Sequence, residues 1–361
     1  MTMSFAERLG DSLFPHVVAS AVPALPKPPA ALFEEAERAE LTRAEHDRLA
    51  LDLPAFNALE VKEAPAAAPS GPVLKVAAWN AERLKHRAPS AALLAASGAD
   101  LLLLTETDCG MARSGNRHTA ADLAADCGMG YAYGVEFVEL GLGDDRERRW
   151  HRGENNRVGF HGNALLSRLP IEDAALIRLD DGAVWWLDAP KGQRRLGWRM
   201  AIAARIAAAS GPIIAVSVHL ESKSDPADRA RQVARLLAAV DRLADGLPVV
   251  IGGDFNTKAL DADAALWGDD PAAHEPLFAA MAASGFDWRA ANTREITMRT
   301  LPDGKPQPPF HRLDWLFTRG LAASHPATLA AVDEKGDAIS DHDLIAMHVS
   351  PEKSTDDFAS R

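Results

Sequence analysis

The stretch GGDFN at residues 252–256 ends the hydrophobic run Val249, Val250, Ile251 with an Asp and an Asn two apart. In an extended segment residues i and i+2 share a face, so Asp254 and Asn256 can look into one site while Phe255 turns away. Asp and Asn are equally at home in a turn. Other strand-like runs end the same way. VLKVAAW leads into Asn80, LLLLT into Glu106 and Asp108, and PIIAVSVHL into Glu221, closing on His219 and Leu220. HRLDWLF carries Asp314, and SDHD presents Asp341 and His342. Taken singly, Asn80 would cap a turn, Glu106 would be a solvated strand end, His219 a satisfied core imidazole and Asp341 the start of a turn. As a set they suit different work. Carboxylates and amides favour a hard, oxygen-loving cation such as Mg²⁺. Two imidazoles can move protons or hold phosphoryl oxygens, and an Asp behind one of them would orient it. The chemistry indicated is metal-assisted phosphoryl transfer.

Those residues need strands to carry them. Strand-like runs recur at 73–79, 101–105, 131–138, 163–167, 200–206, 212–220, 248–253, 313–318 and 343–349. Helical patterns lie between some of them, at 89–97, 117–128 and 226–244. Many strands with a few helices suggest a two-layer sheet core flanked by helices, although period alone does not separate this from a doubly wound sheet. Residues 1–71 differ: a proline-punctuated start, a charged helix-like stretch and the linker VKEAPAAAPSGP. They read as an N-terminal appendage on a catalytic domain over 72–350, with 351–361 as a polar tail. A chain starting at Gly71 is then expected to keep its catalytic rate.

The bulk properties narrow the class. A net charge of −12 argues against a protein that coats nucleic acid non-specifically, because such binding draws on Lys and Arg. It leaves room for a local basic groove. No apolar run reaches the ~20 residues of a membrane span. The N-terminus has Glu7 and Asp11 where a signal peptide carries basic residues, and two cysteines are too few for a disulfide framework. A cytoplasmic protein is expected.

The blocks WN (79–80), TETD (105–108), GNALLSR (162–168), HLES (219–222), GGDFN (252–256), RLDW (312–315) and SDHD (340–343) resemble, in order, the motif series of the endonuclease/exonuclease/phosphatase superfamily. The resemblance implies a DNase I-like, four-layer α/β sandwich: two mainly antiparallel sheets face to face, helices outside, and the site where strand ends of both sheets meet. It implies that Asp254 orients or activates the attacking water and that Asn256 touches the phosphate. Glu106 would be the principal Mg²⁺ ligand, with Asn80 and Asp341 close to the metal or its waters and Mn²⁺ able to substitute. His342 would pair with Asp314 and act on the phosphoryl group, and His219 would bind a phosphoryl oxygen.

The shared core of such a family fixes the bond broken, not the molecule carrying it. Loops should choose the substrate. In CGMARSGNRHT (109–119), Arg113, Asn116 and His118 either reach a second phosphate or belong to a polar loop in which His118 opens the next helix. Asn163, in the GNALLSR block, is a further candidate contact. GDDRERRWHRGENNR (143–157) places Arg148 and Arg149 beside Trp150, either as a wall for a nucleic-acid strand or as a solvated charged loop. TLPDGKPQPPF (300–310) reads as a stiff rim. A small or lipid-like phosphodiester is slightly favoured as substrate. A DNA or RNA nuclease is the alternative, and a catalytically silent ligand- or protein-binding member is the third possibility.

Overall fold

The computed structural model describes residues 3–9, 15–65, 71–189, 192–300 and 305–352. Part of the 61–72 linker, residues 301–304 of the rim loop and nearly all of the polar tail therefore lie outside the described residues. Nine strands form one sheet and six another. Both are mainly antiparallel, and each contains a parallel pair of long strands: Leu74–Arg83 with Leu101–Cys109, and Gly211–His219 with Val249–Asp254. A parallel pair needs a crossover connection. Helices Arg87–Ser97 and Pro226–Ala244 supply the two crossovers.

Alternation along the strands builds the layers. Val76, Ala78, Leu101 and Leu103 face the other sheet, which answers with Ile202, Val250 and Leu316. Ala77, Trp79, Leu102 and Leu104 point the other way, into a core closed by outer helices. Ile214, Val216, Val249 and Ile251 do the same on the far side of the second sheet, under helix Pro226–Ala244. Three apolar cores between four layers make the DNase I-like sandwich expected from the motifs. The paired glycines of GGDFN have a packing reason. A Cβ on Gly252 would lie 2.6 Å from Leu316 and 2.9 Å from Leu103, and one on Gly253 (φ 144°) would lie 2.0 Å from the Val218 carbonyl oxygen.

The described parts of residues 1–71 pack onto the rest of the chain. Val17–Val18 pairs with strand Ile171–Arg178 of the six-stranded sheet. Ala21–Val22 and Leu59–Lys62 extend the nine-stranded sheet beside Gly130–Glu139. Phe5 and Phe56 are buried in the outer cores, together with Leu32. The described part of the segment straps both sheets, and Phe5, Leu32, Phe56 and Leu59 are core positions. The 143–157 stretch also departs from a plain loop: Asp145–Trp150 is a helix with an Asp144/Glu147 capping box. Residues 306–311 of the rim form a strand paired with Met298–Thr300.

Candidate active site

The C-terminal ends of the two parallel pairs meet. β-Bulges aim side chains into that meeting point. Register shifts between Asn80 and Arg83, between Leu104 and Thr107, and between Val135 and Phe137 re-aim Glu106 and Glu136 out of the alternation. Glu106 and Asn256 both have left-handed backbones, with φ of 55° and 49°.

Asn80 sits at the centre. Its amide nitrogen donates to Glu106 Oε1 at 3.2 Å and to Asp254 Oδ2 at 3.0 Å, joining the two sheets. Asp254 Oδ1 accepts from the Asn256 N–H at 2.8 Å, and the Asn256 amide donates to the Leu220 carbonyl. His342 Nδ1 lies 2.7 Å from Asp314 Oδ2, and its Nε2 lies 3.9 Å from Asp254 Oδ2. Burial alone would push the His342 imidazole down, but the Asp314 carboxylate overrides it and holds the ring well above its ordinary range. Trp79 Nε1 donates to the His342 carbonyl, and Ser340 Oγ ties Asn80 O to the His342 N–H. His219 lies 3.6 Å from Asp254 and 3.5 Å from Glu136.

The carboxylates divide into two groups. Ligand atoms of Asp254, Asp314 and His342 lie within 4.8 Å of one another, a buried cluster able to hold a metal ion. Its Asp314–His342 hydrogen bond already satisfies part of it. Around Asp341 the situation is different. Burial, with Glu82 and Glu106 alongside, pushes the Asp341 carboxyl up to about 7. A divalent cation near Glu106 would relieve the repulsion that Glu82 and Glu106 exert on Asp341, although among the described residues the metal-capable cluster of ligand atoms within 4.8 Å is that of Asp254, Asp314 and His342. A cleft of about 830 Å³ opens beside Asp341, lined also by His86, Arg299 and Phe310.

A family model described as the endonuclease/exonuclease/phosphatase family matches residues 77–342. The chain belongs to this family. Endonuclease/exonuclease/phosphatase proteins are generally hydrolytic and depend on divalent metal. No curated protein sequence matches the chain. Among solved structures it is similar to an endonuclease/exonuclease/phosphatase from Beutenbergia cavernae (18% identity, TM-score 0.55), covering 77% of this chain and 72% of that one. It is also similar to the human Nocturnin catalytic domain with bound sulfate (18% identity, TM-score 0.52; 79% and 97% covered). A third is a functionally unknown conserved protein from Enterococcus faecalis (14% identity, TM-score 0.52; 77% and 100% covered). At such identities the likeness is one of fold.

The motif blocks of the family thus bring Asn80, Glu106, His219, Asp254, Asn256, Asp314, Asp341 and His342 to one place. The loop candidates fare differently. Arg113 is buried, and its guanidinium is taken up by Asp108 at 2.9 Å and Glu147 at 3.2 Å, so it is not a free arm. Asn116 staples two loops through Arg157 N–H and the Asn155 carbonyl. His118 caps helix Thr119–Cys127 and lies 3.5 Å from Glu60. Asn163 is buried and donates to the Met200 carbonyl across the sheets. All four side chains are engaged in structural contacts, Arg113 and Asn163 buried, Asn116 and His118 half-buried. Arg148 donates to the Gly143 carbonyl and pairs with Asp145, while Arg149 and Trp150 are exposed on the short helix.

Motif reading missed Arg199, which contacts His219 at 3.0 Å and bridges Glu136 (2.6 Å) and Glu221 (3.0 Å). Against burial, which would raise them, Arg199 draws the Glu136 and Glu221 carboxyls down to about 2. The only sequence signal for Arg199 was an Arg opening an apolar strand, MAIAARI, whose end must reach the site.

Proposed function

We propose that the protein is a Mg²⁺-dependent phosphodiester hydrolase of the cytoplasm, with Mn²⁺ able to replace Mg²⁺ and a small or lipid-like phosphodiester slightly favoured as substrate. The observation that carries this reading is the Asn80 bridge, in which one amide nitrogen donates to both Glu106 and Asp254 and so brings a carboxylate of each sheet together. One side of the bridge offers the Glu106 carboxylate, which with Asp341 would hold the cation. The other offers Asp254, flanked by two imidazoles. A bound cation would neutralise charge on the phosphoryl oxygens. Asp254 takes the proton of the attacking water, Asn256 holds the phosphate, and His219, set between Glu136 and Asp254, donates to an equatorial oxygen. His342, kept protonated by Asp314, stands by the phosphoryl group as acid or stabiliser.

Nuclease activity is the second reading. The exposed Arg149, Arg152 and Trp150 beside the site favour it. The catalytically silent reading is disfavoured by the intact set of eight residues and their mutual contacts.

The test is a panel of bis-p-nitrophenyl phosphate, single- and double-stranded DNA, RNA and sphingomyelin, each with Mg²⁺ and with EDTA, together with Glu106→Gln. Hydrolysis abolished by EDTA, and a Glu106→Gln variant that needs far more Mg²⁺, are expected. Wild-type activity of that variant at limiting Mg²⁺ would sink the cation assignment.

A further inference from the structure

The strand Leu74–Arg83 ends in an uncommon backbone. Glu82, Arg83 and Leu84 have φ of 42°, 72° and 54°, three successive non-glycine residues in the left-handed region. L-residues visit that region at a cost and singly, not in runs. Such strain persists where the surroundings over-determine it, and it clusters at functional sites. Leu84 is held by burial in the outer core and by its N–H on the Ala81 carbonyl. The turn throws Arg83 back towards Glu106.

Arg83 Nη1 donates to Glu106 Oε2 at 3.2 Å, while Asn80 donates to Oε1. Both oxygens of Glu106 are therefore gripped from one strand end. Arg83 Nε lies 3.0 Å from Glu147 Oε1. Glu147 is fixed in turn by its capping box, by Arg113, and by Gly143, where a Cβ would fall 1.9 Å from Glu147 Oε2. Arg113 clamps Asp108 with two N–H groups at 2.9 Å, and Asp108 lies two residues beyond Glu106. The ring runs Glu106, Arg83, Glu147, Arg113, Asp108 and back along the strand. Three carboxylates against two guanidinium groups leave one negative charge. Among the described residues Arg83 donates a hydrogen bond through Nη1 alone: Nη2 has no partner, and Nε, though 3.0 Å from Glu147 Oε1, is not aligned to donate to it; the side chain is 16% exposed.

We propose that Arg83 orients Glu106 and presents its Nη2 edge to an anionic oxygen of the substrate, with Glu147 as the positioning residue that holds the guanidinium in that pose. That the anion is a phosphodiester rests on the function proposed above; the orientation of Glu106 does not. Arginine is required because one planar guanidinium lies against Glu106 and Glu147 and still turns an edge to the substrate, which a lysine nitrogen cannot do.

The full-length wild type would be compared with Arg83→Gln, Arg83→Lys, Glu147→Gln and the Arg83→Gln/Glu147→Gln double variant. Melting temperature, Mn²⁺ affinity from the spin-resonance signal of free Mn²⁺, and kcat and KM on bis-p-nitrophenyl phosphate at saturating Mn²⁺ would be measured. Arg83→Gln should lower kcat/KM by about 100-fold, within the range of removing one transition-state donor. It should bind Mn²⁺ several-fold more tightly, because a neighbouring positive charge has gone. Arg83→Lys should restore Mn²⁺ affinity to the wild-type value but not the rate. Glu147→Gln should lower kcat/KM by about 10-fold and add nothing in the Arg83→Gln background, since Glu147 acts through Arg83. A folded Arg83→Gln with kcat/KM within threefold of wild type overturns the proposal. So does joint loss of Mn²⁺ binding and rate, which is what a merely structural role gives. Should Arg83→Gln not fold, a folded Glu147→Gln with unchanged kcat/KM is equally fatal. If the wild type cleaves no phosphodiester, the functional reading falls, and the Mn²⁺ titration still decides the orienting role.

Discussion

Asp314 and His342, 28 residues apart in the chain, share a hydrogen bond of 2.7 Å between Oδ2 and Nδ1 in the fully enclosed floor of the site. They come from strand Asp314–Arg319 of one sheet and from the turn before strand Leu344–Pro351 of the other. The bond thus crosses the sandwich. Replacing Asp314 by Asn removes the charge that keeps the imidazole protonated and leaves the ring's orientation less defined. The kcat on bis-p-nitrophenyl phosphate should fall by about 100-fold or more, in the range of a lost general acid or base. Mn²⁺ affinity should change little, because Asp314 is already taken up by His342 and the proposed metal ligand is Glu106. Unchanged kcat would mean that the pair does not act as a unit.

Much of this was legible in the sequence, for reasons that differ from residue to residue. LLLLT and VVIGG are continuous apolar runs because both faces of their strands are covered, and they read as strands without any motif. Leu321–Leu329 escaped because it is an edge strand with Pro326 and solvent on much of its length. The helix at 145–150 was readable from Asp144 and Glu147, a capping-box pair that the surrounding arginines obscured. Glu136, Arg199 and Arg83 were not readable. A bulge at Glu136 and a left-handed turn at 82–84 change the face on which a side chain emerges, and neither leaves a mark on period. The fate of Arg113 was hidden for a related reason: its partner Glu147 lies 34 residues away.

The N-terminal segment supplies the second prediction, opposite to the one composition suggests. A chain starting at Gly71 loses Phe5, Leu32, Phe56 and Leu59 from three cores. Each fully buried large apolar side chain is worth about 1.5–3 kcal/mol, so four of them rival the 5–15 kcal/mol that typically holds a domain together. The truncated chain should be insoluble or melt at least 15 °C lower by circular dichroism. A wild-type melting temperature would show the strap to be dispensable.

Glu60 makes the same point through pH. Burial alone would raise its carboxyl, but His118, the Tyr131 hydroxyl and the Leu25 N–H together hold it at about 2. A carboxyl depressed in the fold stabilises it above the free value near 4.5, and that contribution drains away as pH falls from there towards 2. Discounted for its partial contact with solvent, the effect is about 1–2 kcal/mol. Glu60→Gln should therefore melt several degrees below wild type at pH 7, and the gap should narrow to about half by pH 3. A gap that stays constant between those pH values would show that the ionised carboxylate is not the source.

The last prediction separates diesterase from nuclease. On the helix Asp145–Trp150 and just after it, Arg148 is engaged by Gly143 and Asp145, whereas Arg149 and Arg152 are exposed on either side of Trp150, itself 55% exposed. The helix is anchored next to Glu106 through Glu147 and Arg83. If nucleic acid is the substrate, Arg149 and Arg152 neutralise phosphates away from the scissile one, and Trp150 offers a face for a base. Changing both arginines to Ala should then raise KM for single-stranded DNA or RNA several-fold at low salt. The log–log salt slope of binding should shrink by about 0.7 for each phosphate no longer neutralised. Hydrolysis of bis-p-nitrophenyl phosphate should stay at the wild-type rate, because the small diester does not span the distance to the helix; that pattern is loss of uniform binding, not of transition-state stabilisation. If instead the wild type cleaves small diesters but neither DNA nor RNA at low salt with Mg²⁺ or Mn²⁺, the nuclease reading fails. The two arginines are then a solvated surface of an acidic protein, whose net charge of −12 already disfavours a long polyanion.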